Sequence, residues 1–148
     1  MGGCMNSRTC KRPSVRLLVV DDHDLIREGL RAIVRGTEIE IVAEAGDGES
    51  ALRMTLEHEI DVVLLDIRIP DGNGFDVLSQ IKREKPSLPV LIHTVHEKPH
   101  YAARALALGA AGYLVKGNGS SELLTAIRGA CDSGNANPGL LQAADRCV

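Results

Sequence analysis

The chain has 148 residues, a formal net charge of −3 and a hydrophobic share of 44%, which suits one domain with a single packed core. One Phe, two Tyr and no Trp make that core aliphatic. No block of Lys and Arg runs through the chain and no apolar run approaches roughly 18 residues, which argues against a nucleic-acid surface within these residues and against a membrane span.

Residues 1–13 lack the apolar stretch of a signal peptide, and Asn6 stands where a myristoylation motif wants Ser or Thr. They are read as a disordered lead. Cys4, Cys10, Cys131 and Cys147 form no C-x-x-C pair and read as free thiols in a reducing, cytoplasmic setting.

The first predicted strand is Val15–Val20, a β-branched-rich run ending in Asp21-Asp22. Leu25, Ile26, Gly29, Leu30, Ile33 and Val34 then place one apolar stripe on a helix. Ile39–Ala43 reads as the second strand. Asp47 is a plausible N-cap for a helix over about 48–58. Val62–Leu65 is a continuous apolar run, as in strands buried on both faces, and ends in Asp66. Pro70-Asp71-Gly72-Asn73-Gly74 is dense turn chemistry before a helix whose inner side carries Phe75, Leu78 and Ile81.

Val90–Thr94 is the fourth strand. An Ala/Leu-rich helix over about 99–108 stops at Gly109, a favourable C′ residue. Ala111–Val115 is the fifth strand and leads into Lys116. Ser120 is expected to cap a last helix bearing Leu123, Leu124, Ile127 and Cys131. After Asp132 the composition turns to Gly, Asn, Pro and Ala, with little fixed structure expected. The boundaries are thus a lead over 1–13, one domain over 14–131, and a linker or tail over 132–148.

Five strands alternating with five helices imply an α/β fold: a doubly wound parallel sheet covered on both faces. Ligands of such sheets bind beyond the carboxyl ends of the strands. Four of the five strand ends deliver a polar group there: Asp21-Asp22, Asp66, Thr94 and Lys116. Polar loops are common, and chance supplies one or two such residues. Two acidic strand ends, a hydroxyl and an ammonium together form a set that chance seldom assembles. Three carboxylates on one rim call for a hard divalent cation of the Mg²⁺ type. A carboxylate can serve as nucleophile toward phosphorus, with a hydroxyl and an ammonium as partners for the phosphoryl oxygens.

The stretches VVDDHDLIREGL, LLDIRIPDGNGFDVL, LIHTV and GAAGYLVKG, spread over about Val15 to Cys131, resemble the receiver domains of two-component response regulators. The nearest likeness is to the subgroup fused to LuxR/NarL-type helix-turn-helix output domains. The resemblance implies a flavodoxin-like (βα)5 fold with strand order 2-1-3-4-5. It implies Asp66 as phosphoacceptor, and Mg²⁺ (or Mn²⁺) held by Asp21, Asp22, Asp66 and the backbone carbonyl of Arg68. Asp22 would be the direct ligand of the acidic pair, with Asp21 acting through water. Thr94 and Lys116 would contact the phosphoryl group, and Thr94 with Tyr113 would form the conformational switch. The implied partners are a sensor histidine kinase, a second copy on phosphorylation, and DNA only through an output domain missing from this chain; no membrane contact is implied.

The pattern departs from the family at several positions. Gly117 follows Lys116 where many receivers have Pro, often with a cis bond. Val95 stands where Ala or Gly is usual after the Thr. Arg68 and His96 match variable positions at which an acid or an amide can position an attacking water. Arg68, Val95 and His96 are therefore expected to tune kinetics toward a long-lived phosphorylated form. If so, phosphate loss from Arg68→Asn is faster than from the wild type, and an equal or slower rate refutes the idea.

Plainer readings compete. Asp21 and Asp22 also suit a helix N-terminus, Thr94 an ordinary strand, Lys116 a surface and Tyr113 a core position. His93, His96 and His100 invite a zinc reading, but their spacing crosses a strand end, a loop and a helix start. A Mg²⁺-dependent phosphohydrolase would want a second Asp two residues after Asp66 as general acid, where Arg68 stands. A stand-alone regulator acting through protein–protein contacts is the other alternative. The leading reading is a phospho-accepting switch rather than a turnover enzyme.

Overall fold

The computed structural model describes residues 14–69, 72–95 and 99–133. The lead over 1–13, His96 and the tail from 134 onward lie outside the described residues.

Strand β1 (Val15–Val20) is followed by α1 (Asp24–Val34), β2 (Ile39–Ala45), α2 (Gly48–Glu57) and β3 (Val62–Leu65). Two two-residue strands, β4 (Arg68–Ile69) and β5 (Gly72–Asn73), form a small antiparallel ribbon. Then come α3 (Gly74–Glu84), β6 (Val90–Thr94), α4 (Pro99–Ala107), β7 (Gly112–Val115) and α5 (Ser120–Ser133). The main sheet is wholly parallel in the order β2-β1-β3-β6-β7. Counting only these five strands, that is the expected 2-1-3-4-5.

Helices cover both faces. Leu17, Val19, Val62, Leu64 and Leu91 pack against Leu30 and Val34 of α1 and Leu123 and Ile127 of α5. Leu18, Val20, Val63, Leu65 and Ile92 face Ala51 of α2, Phe75, Leu78 and Ile81 of α3, and Ala102 and Ala105 of α4. All four residues of β3 are buried. Burial of each Val or Leu contributes about 1.5–3 kcal/mol, so the central strand anchors the sheet. Alternate residues of β1 and β3 serve opposite cores, which explains the unbroken apolar runs Leu17–Val20 and Val62–Leu65.

Local signals set several element ends. Asp47 caps α2 by accepting from the Ser50 amide at 2.7 Å. Asn73 does the same for α3, accepting from the Asp76 amide at 3.1 Å. After α4, Gly109 takes φ +104°, its amide donates to Leu106, and the Ala110 amide donates to Ala105. This is the Schellman arrangement, and it needs the left-handed conformation that glycine adopts freely.

Three expectations are adjusted. The ribbon β4–β5 flanks the segment read purely as a turn. Ser120 is the first residue of α5 instead of a cap before it. Leu25, placed on the apolar stripe of α1, is 77% exposed, and the buried residues of that helix are Leu30 and Val34 nearer its other end.

Candidate functional site at the carboxyl rim of the sheet

Strand register assembles the site. Val20 pairs with Leu65, and the Asp66 amide donates to the Val20 carbonyl at 2.9 Å, so Asp21 and Asp66 leave adjacent strands side by side. On the other flank Thr94 pairs with Val115, and the Lys116 amide donates to the Thr94 carbonyl at 2.7 Å. Asp21, Asp66 and Lys116, which follow β1, β3 and β7, therefore bring their charged groups together, with Thr94 at the end of the intervening strand β6.

Asp66 is 3% exposed, and its Oδ2 accepts from Lys116 Nζ at 2.9 Å. The same ammonium lies 2.6 Å from Asp21 Oδ2, with only 7% of the lysine side chain exposed. The Arg68 amide donates to Asp66 Oδ1 at 3.1 Å. Candidate donor atoms of Asp21, Asp22, His23 and Asp66 all lie within 4.8 Å of one another. Three carboxylates here face one ammonium, so the pocket carries excess negative charge on oxygen donors. That donor set fits a hard divalent cation.

Burial pushes the Asp21 carboxyl up, but hydrogen bonds from Lys116 and His23 outweigh it and the net direction is down. Burial likewise pushes the Lys116 ammonium down, and its bonds to Asp21 and Asp66 reverse this, leaving it raised. The two directions agree: each partner holds the other in its charged form.

Thr94 and Tyr113 are both buried, Thr94 at the end of β6 and Tyr113 within the α2–α3–α4 core. Burial, then the neighbouring Tyr101 and Asp66, push the Tyr113 phenol up to about 12. Val95 stands at the rim, 62% exposed, and the Arg68 side chain is exposed on the ribbon. Among the described residues no peptide is cis; Gly117 sits at φ +94°, a conformation that the proline ring, fixed near −65°, cannot take.

Three features escaped sequence reasoning. His23 places Nδ1 2.8 Å from Asp21 Oδ1 and 3.2 Å from Asp22 Oδ1. Its only signal is adjacency to the acidic pair. Arg27 donates from Nη1 to the Asp21 backbone carbonyl at 2.5 Å and pairs with Asp24 and Glu44, steadying the loop that carries both acids. Gly74 begins α3 against the backbone that leaves β3: a Cβ there would lie 2.4 Å from Ile67 Cα and 2.8 Å from the Asp66 carbonyl oxygen. The glycine-rich turn was its only trace.

His93 lies on the α1–α5 side of the sheet, beside Ile26 and Leu114, whereas α4, with His100, covers the opposite side. Burial, then the Lys116 ammonium, push the His93 imidazole down to about 4. The unfolded chain, with an ordinary value of 6.5, takes up this proton first. Stability is therefore lost as pH falls below about 6.5 and the loss levels off near 4. Between pH 7 and 5 the expected loss from this group is about 2 kcal/mol. Urea unfolding at both pH values should show the wild type losing that much more than His93→Gln, and parallel behaviour refutes it.

Residues 17–128 match the model of the response regulator receiver domain. The response regulator GacA of Pseudomonas aeruginosa is 37% identical over 115 residues, which is 77% of this chain and 54% of GacA. The chain thus spans about half the length of that relative. A LuxR-family two-component response regulator from Aurantimonas sp. SI85-9A1 superposes with a TM-score of 0.78 at 32% identity, covering 91% of this chain and 99% of that one. The signal receiver domain of the putative response regulator NarL from Mycobacterium tuberculosis gives 0.75 at 36% identity, covering 80% and 97%. Matched along most of its length by the family model, and over the parallel sheet that holds the acidic rim, the chain belongs to the response regulator receiver domains, in the company of the LuxR/NarL-type subgroup.

Proposed function

We propose that the Asp66 carboxylate accepts a phosphoryl group from the phosphohistidine of a sensor histidine kinase. The observation that carries this reading is the buried Asp66 held by Lys116 beside Asp21 and Asp22. A carboxylate oxygen of Asp66 forms the new O–P bond as the P–N bond of the donor breaks, and the departing imidazole takes a proton. Asp21, Asp22, Asp66 and the Arg68 carbonyl would hold Mg²⁺ (or Mn²⁺), which neutralises and orients the transferring group when bound. Lys116 exchanges its contact with Asp66 for a phosphoryl oxygen, and the Thr94 hydroxyl offers a second donor.

Movement of Thr94 toward the phosphoryl group carries the signal to Tyr113, whose ring already occupies an inward, buried position. The exposed Val95 and Arg68, together with His96, favour slow loss of the phosphoryl group, since Arg68 and His96 supply no acid or amide to position water. The domain spans about 14–131, with a lead before it and a linker after it. It acts in the cytoplasm as a switch without turnover of a substrate. Its output is transcriptional, through a DNA-binding domain joined beyond the linker, with homodimer formation on phosphorylation. The likeness to a LuxR-family regulator and to GacA, of which the match covers 54%, supports that extension. No helix among the described residues is long and apolar enough to cross a membrane.

Acetyl phosphate with Mg²⁺ should add one phosphoryl group to the wild type by mass, and none to Asp66→Asn. Equal labelling of the two proteins would overturn the assignment.

A further inference from the structure

Receiver chemistry as proposed above uses oxygen donors only, yet an imidazole nitrogen sits among them. His23 directly follows the acidic pair and forms the N-terminal boundary of α1, without capping that helix through its side chain. Its ring is turned instead toward the carboxylates, with Nδ1 2.8 Å from Asp21 Oδ1 and 3.2 Å from Asp22 Oδ1.

The two oxygens of Asp21 are divided by these contacts. Oδ2 faces Lys116, and Oδ1 accepts the His23 amide at 2.9 Å and meets the His23 ring. The lysine occupies the phosphoryl side of the pocket, and the imidazole occupies the other.

The spacing is informative beyond hydrogen bonding. Ligands about 2.1 Å from an octahedral ion are about 3.0 Å from their neighbours along each edge, by geometry from the bond length. Both contacts of His23 Nδ1 fall near that edge length. A cation entering between the acids would find a nitrogen already at ligand spacing from two of its carboxylates.

Mg²⁺ gains little from such a ligand, because it prefers oxygen and retains its waters. Imidazole suits zinc, nickel, iron and copper, whose affinities also climb along the first row. We infer that His23 is a nitrogen ligand of the acidic pocket and biases it toward late first-row divalent cations of the nickel and zinc class over Mg²⁺. The inference rests on the pocket being the metal site of the proposed phosphoryl transfer, and it adds a specificity-determining residue to it.

Two measurements on the whole chain test it. The first is calorimetric titration of wild type and His23→Asn with Ni²⁺ and with Mg²⁺ separately. The ratio of Ni²⁺ to Mg²⁺ affinity should fall at least about tenfold in the variant, as expected for loss of a metal-supporting histidine. The second is pulsed electron paramagnetic resonance of Mn²⁺ bound to protein carrying ¹⁵N-labelled histidine. A histidine nitrogen coupling should appear in the wild type, vanish in His23→Asn, and diminish as Mg²⁺ competes for the pocket.

An unchanged affinity ratio overturns the inference. So does bound Mn²⁺ without nitrogen coupling, or a coupling that persists in His23→Asn, and these results leave the phosphoacceptor reading standing. If neither Mn²⁺ nor Mg²⁺ binds at all, both readings fall together.

Discussion

Lys116→Met is expected to lose about 3–5 kcal/mol of folding stability near neutral pH, the range for breaking a buried ion pair by removing one partner. The ammonium is the shared counter-charge of Asp21 and Asp66, at 2.6 and 2.9 Å. Without it two buried carboxylates face each other with no neutralising group between them. The Asp21 carboxyl is held below its ordinary 3.8, so its contribution is present above that value and lost as pH falls through the folded-state value. The Lys116 ammonium is held above its ordinary 10.5, so its contribution is present below that value and lost as pH rises beyond it. The wild-type pair therefore contributes throughout the interval from 3.8 to 10.5. In the variant, the Lys116 bond that helps to hold the Asp21 carboxyl low is gone, so Asp21 takes up a proton more readily as pH falls. Its deficit should consequently shrink between pH 7 and pH 5. Urea denaturation of both proteins at the two pH values measures this; a deficit below about 1 kcal/mol at pH 7, the scale of an exposed pair, would show that the contact is solvated.

Gly74→Ala is expected to cost about 1–3 kcal/mol, the usual range for overpacking, and to slow phosphorylation. The obstacle is backbone, which no rotamer change relieves: the added methyl would lie 2.4 Å from Ile67 Cα and 2.8 Å from the Asp66 carbonyl oxygen. The Gly74 amide also donates to the Ile67 carbonyl at 2.7 Å, so α3 is tied to the segment it would be pushed from. Displacement passes directly to Asp66, one residue away. Gly29→Ala provides the contrast, because Gly29 lies within α1 with nothing within 4 Å of an added Cβ, and Ala there is expected to gain about 0.5–1 kcal/mol. Thermal unfolding and acetyl phosphate labelling of both variants check the pair. Equal stability of Gly74→Ala and wild type would refute the close approach.

The parts of this fold that were legible beforehand are those whose physics is local or periodic. Val62–Leu65 announced a strand buried on both faces because every residue in it is apolar, and Asp47 announced a cap because a carboxylate before a helix has an amide to accept from. Gly109 marked the end of α4 for a similar reason. The ribbon Arg68–Ile69 with Gly72–Asn73 was not legible, since two residues show no period and the pairing depends on how the loop is held. Leu25 continued the apolar stripe of α1, but a stripe does not tell which of its turns are covered by neighbouring elements. At the rim, residue types at strand ends were enough to gather Asp21, Asp22, Asp66, Thr94 and Lys116. The ring of His23 lies beside its own sequence neighbours, but which way it turns is a side-chain choice that adjacency alone does not give; the clearance at Gly74 is a distance to the backbone of Asp66 and Ile67, which exists only once α3 is seated against the end of β3.

The lysine contact also sets an order of events during synthesis. Lys116 closes onto Asp66 across a sequence separation of 50, and it directly follows the last strand of the sheet. A nascent chain that has emerged only through α4 already contains every acid of the pocket but not the ammonium that pairs with Asp21 and Asp66. The counter-charge of the pocket therefore arrives late, when β7 joins the sheet edge, so a ribosome-bound or truncated chain ending before Lys116 lacks the ammonium that pairs with Asp21 and Asp66.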